Sequence, residues 1–219
     1  AIEDLKAVPQ MDLEEAAKKG LYQSIGSEVL DAFLKEVRKQ SLYEEPSNIK
    51  IVYTPLHGTG AVLVPETLEK AGIKHLYCVP EQMKPDGNFP TVIVPNPEDK
   101  RALGMGIALA EKVKADVVFG TDPDCDRLGV AVRDDHGEFV GLTGKQVGAL
   151  LLDYILSRLT QTKKLPDNAA VVKSFVSTNL AKSICDAYGV ELYETPVGFK
   201  FIGEKIKQFE KDGSGTFEF

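Results

Sequence analysis

The chain of 219 residues reads as an α/β protein made of two consecutive α/β/α domains with mixed, mainly parallel sheets. Three observations predict this class. Strand-like runs at residues 49–54, 74–79 and 117–120 alternate with amphipathic stretches of helical period, the order that builds a parallel sheet with helices on its faces. The same alternation returns over residues 169–219 without evident sequence identity to the first half. The length allows two domains of roughly 100 residues each. We expect residues 1–25 to be a linker or the tail of something upstream, 26–141 the first α/β domain and 142–219 the second, with the chain stopping in mid-strand.

Taken in order, residues 11–19 form a short helix stopped by Gly20, and residues 26–40 a second helix whose Val29, Leu30, Phe33, Leu34 and Val37 share one face. Residues 44–48 mark a break. The strand at 49–54 runs through Pro55-Leu56-His57-Gly58-Thr59-Gly60 into a helix at 61–71 closed by Gly72. After the strand at 74–79, a proline-rich and therefore stiff loop leads to Pro97-Glu98-Asp99, which reads as the first turn of a helix to residue 114. The strand at 117–120 follows, then a hairpin of residues 128–132 and 138–140. Thr143 caps a helix to residue 159, with Val147, Leu150, Leu151, Tyr154 and Ile155 inward. A linker at 160–168 precedes strand 169–173, helix 177–188, strand 190–194, helix 198–210 and a last strand at 216–219.

Composition excludes several classes of function. Lys and Arg total 26 against 33 Asp and Glu, a net charge of -7, so the overall field repels nucleic acid and anionic membrane. The longest apolar run falls far short of the roughly 20 residues of a membrane span, and the first residues lack the pattern of a signal peptide. A cytoplasmic protein is expected. Cys78, Cys125 and Cys185 are odd in number and far apart, which argues against a disulfide framework and a thiolate zinc site.

Chemistry concentrates in Thr121-Asp122-Pro123-Asp124-Cys125-Asp126-Arg127, a loop between two buried strands with three carboxylates at alternate positions. Such crowding raises carboxyl pKa values unless a cation offsets it. A hard divalent ion suits oxygen ligands, and magnesium is usually held by a few carboxylates plus a substrate phosphate, leaving Arg127 to grip phosphate oxygens in a fork. An EF-hand is excluded, because Arg127 and Arg133 stand where that loop needs Gly and Glu. A phosphatase with Asp122 as nucleophile and Asp124 as acid stays open, although it leaves Asp126 and Arg127 without a task. An acidic solvated turn does not explain why the acids alternate between buried strands.

Other positions carry weaker signals. The backbone around His57-Gly58-Thr59-Gly60 precedes a helix and offers a place for a phosphate, but a plain tight turn is the ordinary reading. His75 and His136 read as surface residues. Lys200, in Thr195-Pro196-Val197-Gly198-Phe199-Lys200, and Lys173 lie at strand ends where anions bind, yet lysines at such places are more often simply solvated.

The loop at 121–127 resembles the metal-binding loop of the α-D-phosphohexomutases, the phosphoglucomutase and phosphomannomutase family. Thr54-Pro55-Leu56-His57-Gly58-Thr59-Gly60, Phe89-Pro90-Thr91 through Pro95-Asn96-Pro97-Glu98, Leu142-Thr143-Gly144 and Thr195 to Gly203 agree in family order. The match is most similar to the bacterial phosphoglucomutase branch. The resemblance implies magnesium at Asp122, Asp124 and Asp126, and Arg127 on the active-site phosphoserine or the transferred phosphate. It also brings Gly198 and Lys200, and less directly Lys173, to a hexose phosphate. It implies the second and third of four domains. The serine loop, the sugar-recognition loop and the last domain do not occur in this chain, so domains I and IV are expected as partners and the fragment alone is expected to be inactive. A non-enzymatic metal or sugar-phosphate binding module remains a third reading. Glucose and mannose phosphate are not distinguished.

Overall fold

The computed structural model describes residues 5–43 and 47–219, so most of the expected break at 44–48 lies outside the described residues. Two compact units result, one ending at Ser41 and one from Leu42 to Phe219.

In the first unit, Asp12 caps helix α1 (Leu13–Lys18) by accepting from the amides of Glu14 and Glu15, and Gly20 leaves it with a φ of 69°. Helix α2 spans Ser27–Lys39. Of its expected apolar face, Leu34 is buried and Leu30 and Val37 are half-buried, whereas Val29 and Phe33 are exposed.

The second unit holds both sheets. Strand β1 (Ser47–Thr54), helix α3 (Gly60–Lys70), strand β2 (Ile73–Cys78), helix α4 (Gly104–Val113) and strand β3 (Val117–Thr121) build the parallel part; the hairpin of β4 (Leu128–Arg133) and β5 (Phe139–Leu142) adds antiparallel strands. The sheet order is β2-β1-β3-β4-β5, with β1 parallel to β2 and β3. Alternation along β1 fixes the two faces. Val52 joins Val118, Ala131, Leu103 and Ala110 under α4, while Ile51 joins Val117 and Val130 on the opposite face.

Helix α5 (Gly144–Gln161) opens on a complete capping box, in which Thr143 accepts from the Gln146 amide and Gln146 accepts from the Thr143 amide. Strands β6 (Ala169–Ser174), β7 (Glu191–Thr195) and β8 (Thr216–Phe217) form a parallel sheet in the order β7-β6-β8. Helices α6 (Leu180–Tyr188) and α7 (Phe199–Asp212) complete the layers. Val171 packs with Leu152, Leu156 and Cys185 of α5 and α6; Ala170 and Val172 face Phe209 of α7. Among the described residues no helix is long and apolar enough to cross a membrane.

Three expectations need correction. Pro97-Glu98-Asp99 does not open a helix: the Asn96 and Asp99 side chains accept from the amides of Glu98 and Arg101, the local bonding that competes with helix, and α4 starts only at Gly104. Helix α5 turns a different face inward. Ala149, Leu152, Leu156 and Leu159 are buried; of the expected face Val147, against Ile51, Val117 and Val130, and Ile155 are half-buried, while Leu150, Leu151 and Tyr154 are exposed. The helix is apolar on two sides, so its period alone does not choose between them. Helix α6 begins at Leu180 rather than 177, because Ser177 and Thr178 spend their groups on turn hydrogen bonds with Ser174 and Leu180.

Candidate metal and phosphate site

Strand β3 lies between β1 and β4 and ends by delivering Asp122, whose residue is 1% exposed, at the carboxyl edge of the sheet. Ligands of open α/β sheets bind at such edges. The loop then folds back onto this one side chain. Asp122 Oδ1 accepts from the amides of Asp126 (3.1 Å) and Arg127 (3.0 Å), and Oδ2 accepts from Arg127 Nε at 2.8 Å. The Cys125 amide donates to the Asp122 carbonyl at 3.0 Å, with Cys125 in the left-handed region at φ 63°. This return leaves Asp124 and Asp126 exposed, with ligand oxygens of all three aspartates within 4.8 Å of one another.

The electrostatics follow from these contacts. Burial pushes the Asp122 carboxyl up, but the hydrogen bonds from the Arg127 amide and guanidinium outweigh it and hold the group below the usual carboxylate range. The negative charge of Asp124 pushes Asp126 up. Hydrogen bonding to Asp122 raises Arg127, whose side chain is 54% exposed and also lies 3.7 Å from Asp126. The donor set consists of hard oxygens, and only three of the roughly four lone-pair sites of Asp122 are occupied. These residues fit a small oxygen-preferring divalent cation.

The turn between β1 and α3 supports this loop. The Thr59 amide and hydroxyl donate to the Pro123 carbonyl at 2.9 and 3.1 Å. A Cβ added to Gly58 would lie 2.4 Å from Pro123 Cα, so only glycine allows this approach. The turn is therefore not a phosphate cradle. Its amides at His57, Gly58 and Thr59 are spent on the carbonyls of Gln82, Pro55 and Pro123. The His57 ring is buried, with Nδ1 3.0 Å from the Lys84 carbonyl and Nε2 2.8 Å from Thr91 Oγ1. His75 and His136 are exposed.

At the carboxyl edge of the second sheet Lys173 lies next to the end of β6, while Gly198 and Lys200 follow the end of β7. Lys173 is 8% exposed; its ammonium lies 2.5 Å from Glu194, out of line for a hydrogen bond, and borders a cavity of about 340 Å³ with Glu98, Lys145, Ser177 and Thr178. Gly198 has a φ of 129°, a conformation that L side chains rarely adopt, and starts α7. Lys200 is exposed, its ammonium 4.8 Å from the centre of the Phe201 ring. The structure thus joins the aspartates with Arg127 in one group and sets the two lysines and Gly198 on the other sheet.

Sequence reasoning misses the layer beneath the aspartates. Tyr53 Oη and Thr121 Oγ1 form a buried hydrogen bond of 2.8 Å, and Gln82, fully buried, links Thr54 to Thr91. The available signal is a polar residue at the end of an apolar run, as at Thr54 and Thr121.

Comparison with known proteins agrees with this architecture. Residues 30–137 match the phosphoglucomutase/phosphomannomutase alpha/beta/alpha domain II, and residues 143–217 match domain III of the same family. The phosphoglucomutase of Staphylococcus aureus (strain USA300) is 40% identical over 191 residues, which is 87% of this chain and 34% of that protein. The chain therefore spans about a third of the length of the curated relatives it matches. Among solved structures, a phosphoglucomutase/phosphomannomutase family protein of Burkholderia thailandensis superposes with a TM-score of 0.63 at 20% identity, over 80% of this chain and 35% of its own. The N-acetylphosphoglucosamine mutase of Aspergillus fumigatus, in complex with GlcNAc-6P and magnesium, gives 0.55 at 14% identity, over 78% of this chain and 32% of its own.

Proposed function

This chain belongs to the phosphoglucomutase/phosphomannomutase family, and we propose that it forms the central part of an enzyme that interconverts hexose 1-phosphate and 6-phosphate. In this reading the phosphoryl group passes from a phosphoserine to the sugar phosphate, and the other phosphoryl of the resulting bisphosphate returns to the serine. The serine and the remaining substrate contacts belong to domains I and IV, so this chain alone is inactive. Residues 26–141 act as domain II and 142–219 as domain III, and the protein works in the cytoplasm.

The observation that carries the proposal is the convergence of Asp122, Asp124 and Asp126 beside Arg127 at a strand end, with carboxylate oxygens within 4.8 Å of one another. These aspartates hold magnesium. An ion held there would supply positive charge to offset that on phosphoryl oxygens during transfer. Arg127, fixed through Nε to Asp122, presents its remaining N–H donors to the phosphate, and a guanidinium suits planar two-point recognition. Gly198 lets the chain turn sharply into α7, so that Lys200 and the backbone meet the sugar phosphate, and Lys173 supplies buried positive charge on the same edge. Neighbouring structures support this chemistry: the Aspergillus fumigatus enzyme has been seen with GlcNAc-6P and magnesium, and with glucose 1,6-bisphosphate.

A phosphatase that uses Asp122 as nucleophile is disfavoured by the same geometry. Three of its roughly four lone-pair sites are held by two amides and a guanidinium, which lower its basicity and fix its orientation, so it is poorly placed for attack. The discriminating experiment is a mutase assay of the full-length protein and its Asp124→Ala variant, run with glucose and mannose phosphates. The proposal expects magnesium-dependent isomerisation that the variant loses; a variant with normal activity overturns it.

A further inference from the structure

We infer that His57, Gln82 and Thr91 form a positioning circuit that sets the geometry of the aspartate loop from below. The inference rests on the reading of that loop as a divalent-cation site.

The β1–α3 turn touches the loop at Pro123, the residue between Asp122 and Asp124, through the Thr59 amide and hydroxyl and the close face of Gly58. A shift of the turn therefore moves the backbone that carries two of the three carboxylates. The turn does not hold its shape by local preference. Leu56 and His57 sit at φ values of 47° and 64°, in the left-handed region that residues with side chains seldom occupy. Surrounding structure must impose that conformation.

The imposing groups form a closed set. The Lys84 carbonyl can only accept, so His57 Nδ1 carries the proton of the 3.0 Å bond. Gln82 Nε2 donates to Thr91 Oγ1 at 2.9 Å, and the Thr91 hydroxyl donates in turn to His57 Nε2 at 2.8 Å. Gln82 Oε1 accepts from Thr54 Oγ1 at 2.6 Å, and that oxygen accepts from the Leu56 amide at 3.1 Å. The Gln82 carbonyl takes the His57 amide, and the His57 carbonyl takes that of Asp86. Thr54, His57 and Gln82 are buried, and Thr91 is the exposed member. Its hydroxyl is the one link that can be removed without opening a core cavity.

The test titrates Mn²⁺ alone into the protein, following free Mn²⁺ by electron paramagnetic resonance, with thermal unfolding measured in parallel. Unmodified protein binds, and Asp124→Ala does not. Thr91→Val and Thr91→Ala each weaken Mn²⁺ binding well beyond the scatter between repeat titrations, and Thr91→Ser restores it. A purely structural hydroxyl would lower the unfolding midpoint and leave affinity unchanged. If unmodified protein binds and both hydroxyl-free variants bind within twofold of it, the circuit has no positioning role. If unmodified protein does not bind, the reading of the aspartate loop fails instead.

Discussion

Asp122 and Arg127 meet at 2.8 Å between Oδ2 and Nε, a buried carboxylate tied to a half-exposed guanidinium. The pair does two things at once. It closes the loop through a charge-assisted bond, and it aims the rest of the guanidinium outward beside the two exposed aspartates.

Replacing Asp122 with Asn removes that charge and puts an amide where two backbone N–H groups and Arg127 Nε need acceptors. We expect a destabilisation of about 1–3 kcal/mol, the worth of hydrogen bonds made to a charged group. Chemical denaturation of the two proteins checks this. A variant as stable as the parent would mean that the loop does not depend on the carboxylate.

Gly58→Ala places a methyl group 2.4 Å from Pro123 Cα and 2.6 Å from its carbonyl oxygen, both backbone atoms. The turn or the aspartate loop must move. We expect a loss of about 1–3 kcal/mol, typical of overpacking, together with shifted amide resonances for Thr59, Asp124 and Asp126. Unchanged resonances would show that the two loops are not in contact.

Leu156 is fully buried between α5 and the second sheet, whereas Leu150, six residues earlier, is 61% exposed. Leu156→Ala should cost about 2–5 kcal/mol, and Leu150→Ala should change stability by no more than about 0.5 kcal/mol. Denaturant midpoints decide between this face and the one the periodicity suggests.

Asp99 accepts from both the side chain and the amide of Arg101, which lowers its pKa from 3.8 to about 2. A depressed carboxyl contributes stability above its unfolded pKa and loses it as pH falls through the folded one. The contribution of Asp99 should therefore disappear between pH 4 and pH 2. A carboxyl-carbon NMR titration should give a midpoint near 2, and one near 3.8 would show that the Arg101 contact does not persist in solution.

Much of this molecule is legible in its sequence because its strands are short apolar runs closed by glycine and proline, and alternation identifies such runs with little competition. The aspartate loop is legible for a different reason: carboxylates at alternate positions next to an arginine have few ordinary explanations. What stays hidden depends on long-range partners. The face of α5 is ambiguous because Leu150 and Leu151 are as apolar as Leu152 and Leu156. The segment at Pro97 has the composition of a helix start, but Asn96 and Asp99 bond locally instead. The support under the loop joins Thr54, Gln82 and Thr91, and no spacing rule relates these positions.

The most direct measurement of the central claim is anomalous diffraction from a crystal of the protein soaked in Mn²⁺. The account predicts a peak among the carboxylates of Asp122, Asp124 and Asp126, at roughly 2 Å from their oxygens as such ions require. A protein that takes up Mn²⁺ only elsewhere, with these three carboxylates free of it, would contradict the account.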